Sequence, residues 1–172
     1  MRQKKVKFSH PRSLTLEQIG KPILPNTEDE ISCLGIFYHN ITAMQKWLEQ
    51  NPQPVIDMPI GIWEQYASDD DQFIDSADIS RPIIVAEIAP DCKDFIPDIQ
   101  ADDWIRRGYV CIDGYHRIKK ARRLGLETLP AVVLRMEQHF PFLYSGCEQY
   151  VEYWNGKLED RTLDAQIWER NK

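Results

Sequence analysis

Asp113-Gly114-Tyr115-His116-Arg117 sets a carboxylate, a glycine, an imidazole and a guanidinium side by side at one turn. Each residue type suits an anionic ligand in its own way. Gly114 lets the backbone bend and approach a ligand with no Cβ in between. His116 donates a hydrogen bond or works as an acid or base near neutral pH. Arg117 offers a planar fork that binds phosphate oxygens in bidentate fashion. Three roles are open to Asp113: a ligand for Mg²⁺ bridged to phosphates, an acceptor for a substrate hydroxyl, or a helix cap.

The elements that must position these side chains are legible around them. Tyr109–Ile112 is aromatic and β-branched enough for a strand, and Thr128–Leu134 carries the same signal around Pro130. Between the two, Asp113-Gly114 is a turn dipeptide and Gly125 is placed like a helix C′ residue. The order is strand, tight turn, helix, turn, strand. At 100° per residue Ile118, Ala121 and Leu124 share the core-facing side, with Lys119, Lys120, Arg122 and Arg123 mainly opposite. Arg117 lies within about 40° of the apolar stripe, taking the angle from the 3.6-residue repeat. A cation on the inward flank of a first turn should meet an anion there, where free N–H groups and the dipole already favour phosphate. On this reading Arg117→Ala removes phosphate binding and leaves the fold standing.

The run Asp113–Arg117, followed by Ile118, Ala121, Gly125 and the strand Thr128–Leu134, resembles the ParB/sulfiredoxin superfamily. In that superfamily a strand leads into a Gly-x-His-Arg or Gly-x-Arg-Arg turn at a helix N-terminus, where nucleotide phosphate binds. Upstream, Arg81–Ile88 is similar to the preceding strand of such domains. The resemblance implies a nucleoside di- or triphosphate (ATP, ADP or CTP, with or without Mg²⁺) held by Gly114, Tyr115, His116 and Arg117. By their side-chain chemistry Asp113 and His116 are the candidate catalytic residues, and no standing metal site is assigned. Sulfiredoxins carry a nucleophilic cysteine just before the His-Arg pair, where this chain has Tyr115. Cys111 lies four residues earlier, inside the strand, so sulfinic-acid reductase activity is not expected. ParB partitioning proteins continue into a helix-turn-helix domain, for which the roughly 35 residues after the core are too few by the usual size of such modules. Small-molecule kinases of the superfamily have the most similar Asp-Gly-x-His-Arg run. The carboxylate they use elsewhere has two candidates here, Glu64 and Glu87. Two functions are therefore open: a phosphotransferase or nucleotide hydrolase acting on a small molecule, or a non-catalytic ParB-like binding protein of a plasmid, phage or toxin-linked system, working through a protein or nucleic-acid partner.

Composition narrows the field. A chain of 172 residues with 42% hydrophobic content builds a proper core. No apolar run approaches the 18 residues or so of a membrane span, and Met1–Lys7 is basic with no apolar segment behind it, so a cytoplasmic location is expected. Cys33, Cys92, Cys111 and Cys147 form no C-x-x-C pair, and His10, His39, His116 and His139 show no ligand spacing beside them, so structural zinc is not expected. The formal charge of −6 makes weak nucleic-acid binding the most that is expected. The charge is uneven: Asp69, Asp70, Asp71, Asp75 and Asp78 crowd one segment, read as a solvated loop with a divalent-cation site as the alternative.

The remaining pattern predicts an α+β protein. The resemblance implies a compact core over 54–137, similar to the ParB/sulfiredoxin fold and with a small mixed sheet, and helices are expected at both ends in a single globular unit. Residues 1–53 form an N-terminal extension. Within it Thr15…Gln18, Thr27…Glu30 and Thr42…Gln45 have capping-box spacing, Ile31–Tyr38 is strand-like but interrupted at Gly35, and Met44, Trp47 and Leu48 lie on one helical face. Val55–Ile60 reads as an edge strand because of Pro59. Ile83–Ile88 is a strong strand, with Glu87 read as its exposed end or as a carboxylate aimed at a site. Ala101–Arg107 reads as a short helix ending at Gly108. In the C-terminal extension, 138–172, a helix capped by Ser145…Glu148 stops at Asn155-Gly156, and a second short helix carries Leu163, Ile167 and Trp168.

Overall fold

A computed structural model describes residues 13–66 and 71–172, with only the backbone described for 64–66 and 71. Helix α1 (Leu16–Ile19) leads to β1 (Ile31–Leu34) and β2 (Phe37–Asn40), then α2 (Ile41–Gln50) and β3 (Val55–Pro59). After short 3₁₀ segments at Gly61–Tyr66 and Asp71–Phe73 come β4 (Ile83–Glu87), α3 (Trp104–Arg107), β5 (Tyr109–Asp113), α4 (Tyr115–Arg123) and β6 (Thr128–Leu134). There follow α5 (Met136–His139), β7 (Leu143–Ser145) and α6 (Cys147–Arg170). The protein is α+β. Met1–Lys7 and His10, together with Asp69 and Asp70, lie outside the described residues, as does the side chain of Glu64.

The main sheet has the order β3-β6-β4-β5 and is mixed, β6 and β4 running parallel while the outer pairs are antiparallel. β4 is buried along its whole length, as its unbroken Ile83-Ile84-Val85-Ala86 run requires of a strand covered on both faces. One face carries Ile83, Val85, Cys111 and Ala131 and packs on Ile118 and Ala121 of α4 and on Trp63. The other face carries Ile84, Ala86, Ile112 and Val132 and packs on α2, α6 and the N-terminal segment. The expected strand–turn–helix–turn–strand order of 109–134 is present, and Gly125 (φ 73°) closes α4 with Gly125 and Leu126 N–H groups donating to the Arg122 and Ala121 carbonyls, both at 2.9 Å. Leu124 departs from expectation. It caps α4 rather than continuing it, so it leaves the apolar stripe and is 59% exposed.

The two extensions do more than add helices. β1 and β2 form a hairpin about Gly35 (φ 63°), and β2 also pairs with β7, so the chain's two ends build a second, three-stranded antiparallel sheet. Helix α2 starts at Asn40, whose side chain accepts from Ala43 N–H (3.0 Å), not at the Thr42…Gln45 box. Thr42 instead accepts from Glu30 N–H (2.8 Å), and Gln45 is left to point elsewhere. At the C-terminal end the Asn155-Gly156 stop does not operate. Helix α6 runs straight through it, because Asn155 is engaged on both sides of its amide by the backbone N–H and carbonyl of Leu14, each at 2.8 Å. Its cap is Gly146 in the left-handed region (φ 76°), not Ser145.

Where the second sheet meets the first, His39 and His139 are both fully buried with Nε2···Nδ1 at 3.1 Å. His139 Nε2 lies 2.7 Å from the Glu87 carbonyl and must donate to it, so neutral His139 accepts at Nδ1 from His39. Burial lowers the pKa of both rings, that of His139 to about 4.

Candidate functional site

β5 delivers Asp113 to the mouth of the site and Gly114 turns the chain into α4. Gly114 has φ 118°, and a Cβ there would lie 2.4 Å from Ile83 Cγ2, so both the backbone angle and the packing demand glycine. The first intrahelical bond of α4 runs from Ile118 N–H to the Gly114 carbonyl (3.0 Å), which sets the earlier N–H groups at the helix's positive end.

Arg117 occupies the inward flank, 7% exposed. Its Nη1 donates to the Arg81 (3.0 Å) and Pro82 (2.5 Å) carbonyls, and its Nη2 pairs with Asp113 Oδ2 at 2.8 Å. The anion expected there is therefore met within the protein, by Asp113, and the same guanidinium ties the chain entering β4 to the start of α4. Removal of Arg117 is not free of cost to the fold, contrary to the expectation from its wheel angle alone. Asp113 does not cap the helix. Its Oδ2 accepts from Arg117 and from Gln45 Nε2 of α2 (3.2 Å), while among the described residues its Oδ1 takes no hydrogen bond.

These residues line a cleft of about 630 Å³. One wall is Gly114–Arg117, a second is Glu30–Cys33 at the start of β1, and a third is the segment Phe73–Arg81. His116 lies on the wall with its ring edge-on to Phe73, centroids 5.7 Å apart. Tyr115 also lines the cleft but turns its hydroxyl back to the Cys111 carbonyl. The cleft thus brings Asp113, Gly114, Tyr115, His116 and Arg117 together. Cys111 is fully buried behind them, where burial pushes its thiol up to about 12, out of reach of thiolate chemistry.

Glu87 is a different matter. It is 1% exposed, so it is not the open end of a strand. It sits at the far end of β4 from Ile83, roughly 13 Å away at the usual rise per residue. There it accepts from the N–H groups of Met136 (3.0 Å) and Asp91 (3.1 Å) and pairs with Arg135 (3.0 Å). Asp91 in turn is held by Arg107 (2.7 Å) and Tyr109 (3.1 Å), a network internal to the fold and remote from the cleft. Burial raises the Glu87 carboxyl to about 7.

The basic helix and the acidic segment, separate in the sequence, meet in the structure. Lys120 Nζ donates to the Asp75 (2.7 Å) and Ala77 (2.8 Å) carbonyls, and Arg123 lies 3.6 Å from the Asp75 carboxylate. The helix face opposite the core is thus occupied in part by holding the cleft's third wall. Asp78 accepts from the Ser80 hydroxyl (2.6 Å) and N–H (3.0 Å), which lowers its pKa. Among the described residues no group of three or more His, Cys, Asp or Glu is disposed to hold a metal ion, and no helix is long and apolar enough to cross a membrane.

Gln45 and Arg81 were not singled out by their sequence context. Gln45 has the look of a capping residue and Arg81 of an ordinary residue before a strand, and only their arrival at Asp113 gives them a place in the site. No family model matches the chain, and no curated protein or solved structure matches it either.

Proposed function

We propose that the cleft at the N-terminus of α4 binds a nucleoside di- or triphosphate by its phosphates, and that the protein transfers or hydrolyses the terminal phosphoryl group, acting on a small molecule. The observation that carries this reading is the first turn of α4 forming one wall of a cleft of about 630 Å³. A helix N-terminus entered through glycine presents backbone N–H groups and a positive dipole end to an anion. Arg81 and His116 line the same space and add side-chain donors. The resemblance of Asp113–Arg117 to the ParB/sulfiredoxin turn supports the same ligand. Mg²⁺ would enter with the phosphates, and Glu30 and Asp78 are carboxylates in the cleft that suit a hard cation.

Thermal melting of the protein with ATP, ADP and CTP, with and without Mg²⁺, tests the proposal. Binding to the folded state stabilises by RT ln(1 + [L]/Kd), about 2.7 kcal/mol at 100 times Kd. The expected result is a clear rise in Tm with at least one nucleotide. An unchanged Tm with all three, each at millimolar concentration, overturns it.

A further inference from the structure

A second, smaller cleft of about 320 Å³ adjoins the first, and the two share Asp113 and Arg81. Its floor includes Ile84 and Val132, direct neighbours on the parallel strands β4 and β6. Its wall is one face of α2, where Gln45, Leu48 and Glu49 follow at helical spacing. Pro82 lines it too. The cleft thus sets apolar Leu48, Pro82, Ile84 and Val132 beside Gln45 and Glu49 of α2, and shares Arg81 and Asp113 with its larger neighbour.

Asp113 stands on that seam in a particular way. Its Oδ2 is fixed by Arg117 (2.8 Å) and Gln45 (3.2 Å), which holds the carboxylate plane. Its Oδ1 takes no hydrogen bond among the described residues, and the side chain is 17% exposed. A carboxylate fixed through one oxygen and open at the other is suited to accept a proton from a hydroxyl.

We infer that the smaller cleft is the acceptor site, taking an alcohol with a short aliphatic body whose hydroxyl lies against Asp113 Oδ1 while nucleotide phosphates occupy the larger cleft. The inference rests on the nucleotide reading for its reaction, but its site is separate. The body of the alcohol packs on Leu48, Ile84 and Val132, and its hydroxyl donates to Oδ1. In the transfer step the acceptor oxygen forms a bond to the γ-phosphorus as the bond from that phosphorus to the β,γ-bridging oxygen breaks. The nucleoside diphosphate leaves with that electron pair, and the hydroxyl proton passes to Asp113 Oδ1. Arg81, on the seam, is placed to face the charge that develops between the two reactants.

The test is methyl and amide NMR of the whole chain, titrated with 3-methylbutan-1-ol and, separately, with ATP and Mg²⁺. The alcohol is expected to shift the methyl groups of Leu48, Ile84 and Val132 saturably, and its methyl ether, which cannot donate, to bind about tenfold more weakly or worse. ATP alone is expected to shift the amides of Gly114–Arg117, and its β,γ-imido analogue, which cannot transfer the terminal phosphoryl group, to do so with the alcohol still bound, the two sets of shifts adding. Leu48→Trp should fill the smaller cleft and abolish the alcohol's shifts while the ATP shifts persist. If the alcohol instead moves Ser32 or Ala77, or the imido analogue displaces it, or the ether binds as well as the alcohol, the acceptor site is not here and the inference falls with the nucleotide reading intact. If ATP shifts nothing while the alcohol behaves as described, the site stands and the nucleotide reading falls.

Discussion

Replacing Arg117 by alanine removes three contacts at once and leaves their partners in place. Two of those partners are the carbonyls of Arg81 and Pro82, and the third is the Asp113 carboxylate at 2.8 Å. Removing one member of a buried ion pair costs on the order of 3–5 kcal/mol, because a charge is left without its counterpart. Here the side chains are 8% and 17% exposed and Gln45 still donates to Asp113, so the loss belongs at the lower end, about 3 kcal/mol. For a chain of this size that is a fall in Tm of about 6–12 °C. Urea denaturation of the native protein, Arg117→Ala, Arg117→Lys and Arg123→Ala measures it. Lysine keeps the charge but not the fork, so it should recover less than half of the loss. Arg123 is a fair control: it is half-exposed and 3.6 Å from Asp75, and its truncation should cost less than about 0.5 kcal/mol. If Arg117→Ala lies within about 1 kcal/mol of the native protein, the Arg117 clamp is not holding the turn. A variant that keeps full stability and still loses nucleotide would point to direct contact between Arg117 and phosphate.

Gly114→Ala should destabilise by at least about 2 kcal/mol, since it adds strain at φ 118° to a Cβ placed 2.4 Å from Ile83 Cγ2; a melting curve that overlays the native one refutes the packing argument. The buried groups give stability two opposed pH slopes. His139 has its pKa lowered to about 4 by burial, from about 6.5 in the unfolded chain, so stability is lost as pH falls below 6.5 and the loss levels off near 4, worth about 3 kcal/mol in all. His39 acts in the same direction. Glu87 acts oppositely: its carboxyl is raised to about 7, so its contribution is present below about 4.5 and lost as pH rises through 7. Denaturation midpoints from pH 4 to pH 8 should show the acid limb flattened in His139→Gln and the alkaline limb flattened in Glu87→Gln. Unaltered limbs would mean that these groups do not titrate as their burial demands.

The sequence by itself determined the part of the protein whose cues are local. The strand at Tyr109, the glycine turn, the helix with Ile118 and Ala121 inward, the Gly125 stop and the strand at Thr128 each depend on residues within a few positions of one another. So do the edge strand ending at Pro59 and the short helix ended by Gly108. Tertiary structure decided what depends on partners far along the chain. Asn155 looked like a helix stop until Leu14, 141 residues away, took both ends of its amide. Glu87 looked exposed because its run gives no sign of Arg135 and of the Met136 N–H, which satisfy the carboxylate and let it be buried. The wheel placed Arg117 inward correctly, but only the fold brought the carbonyls at 81 and 82 to it. The clefts are of the same kind, with walls from residues 30–33, 73–81 and 112–117 on one side and from α2, β4 and β6 on the other. Periodicity and capping act over one or two turns, whereas a cleft and its charges exist only once strands distant in sequence lie side by side.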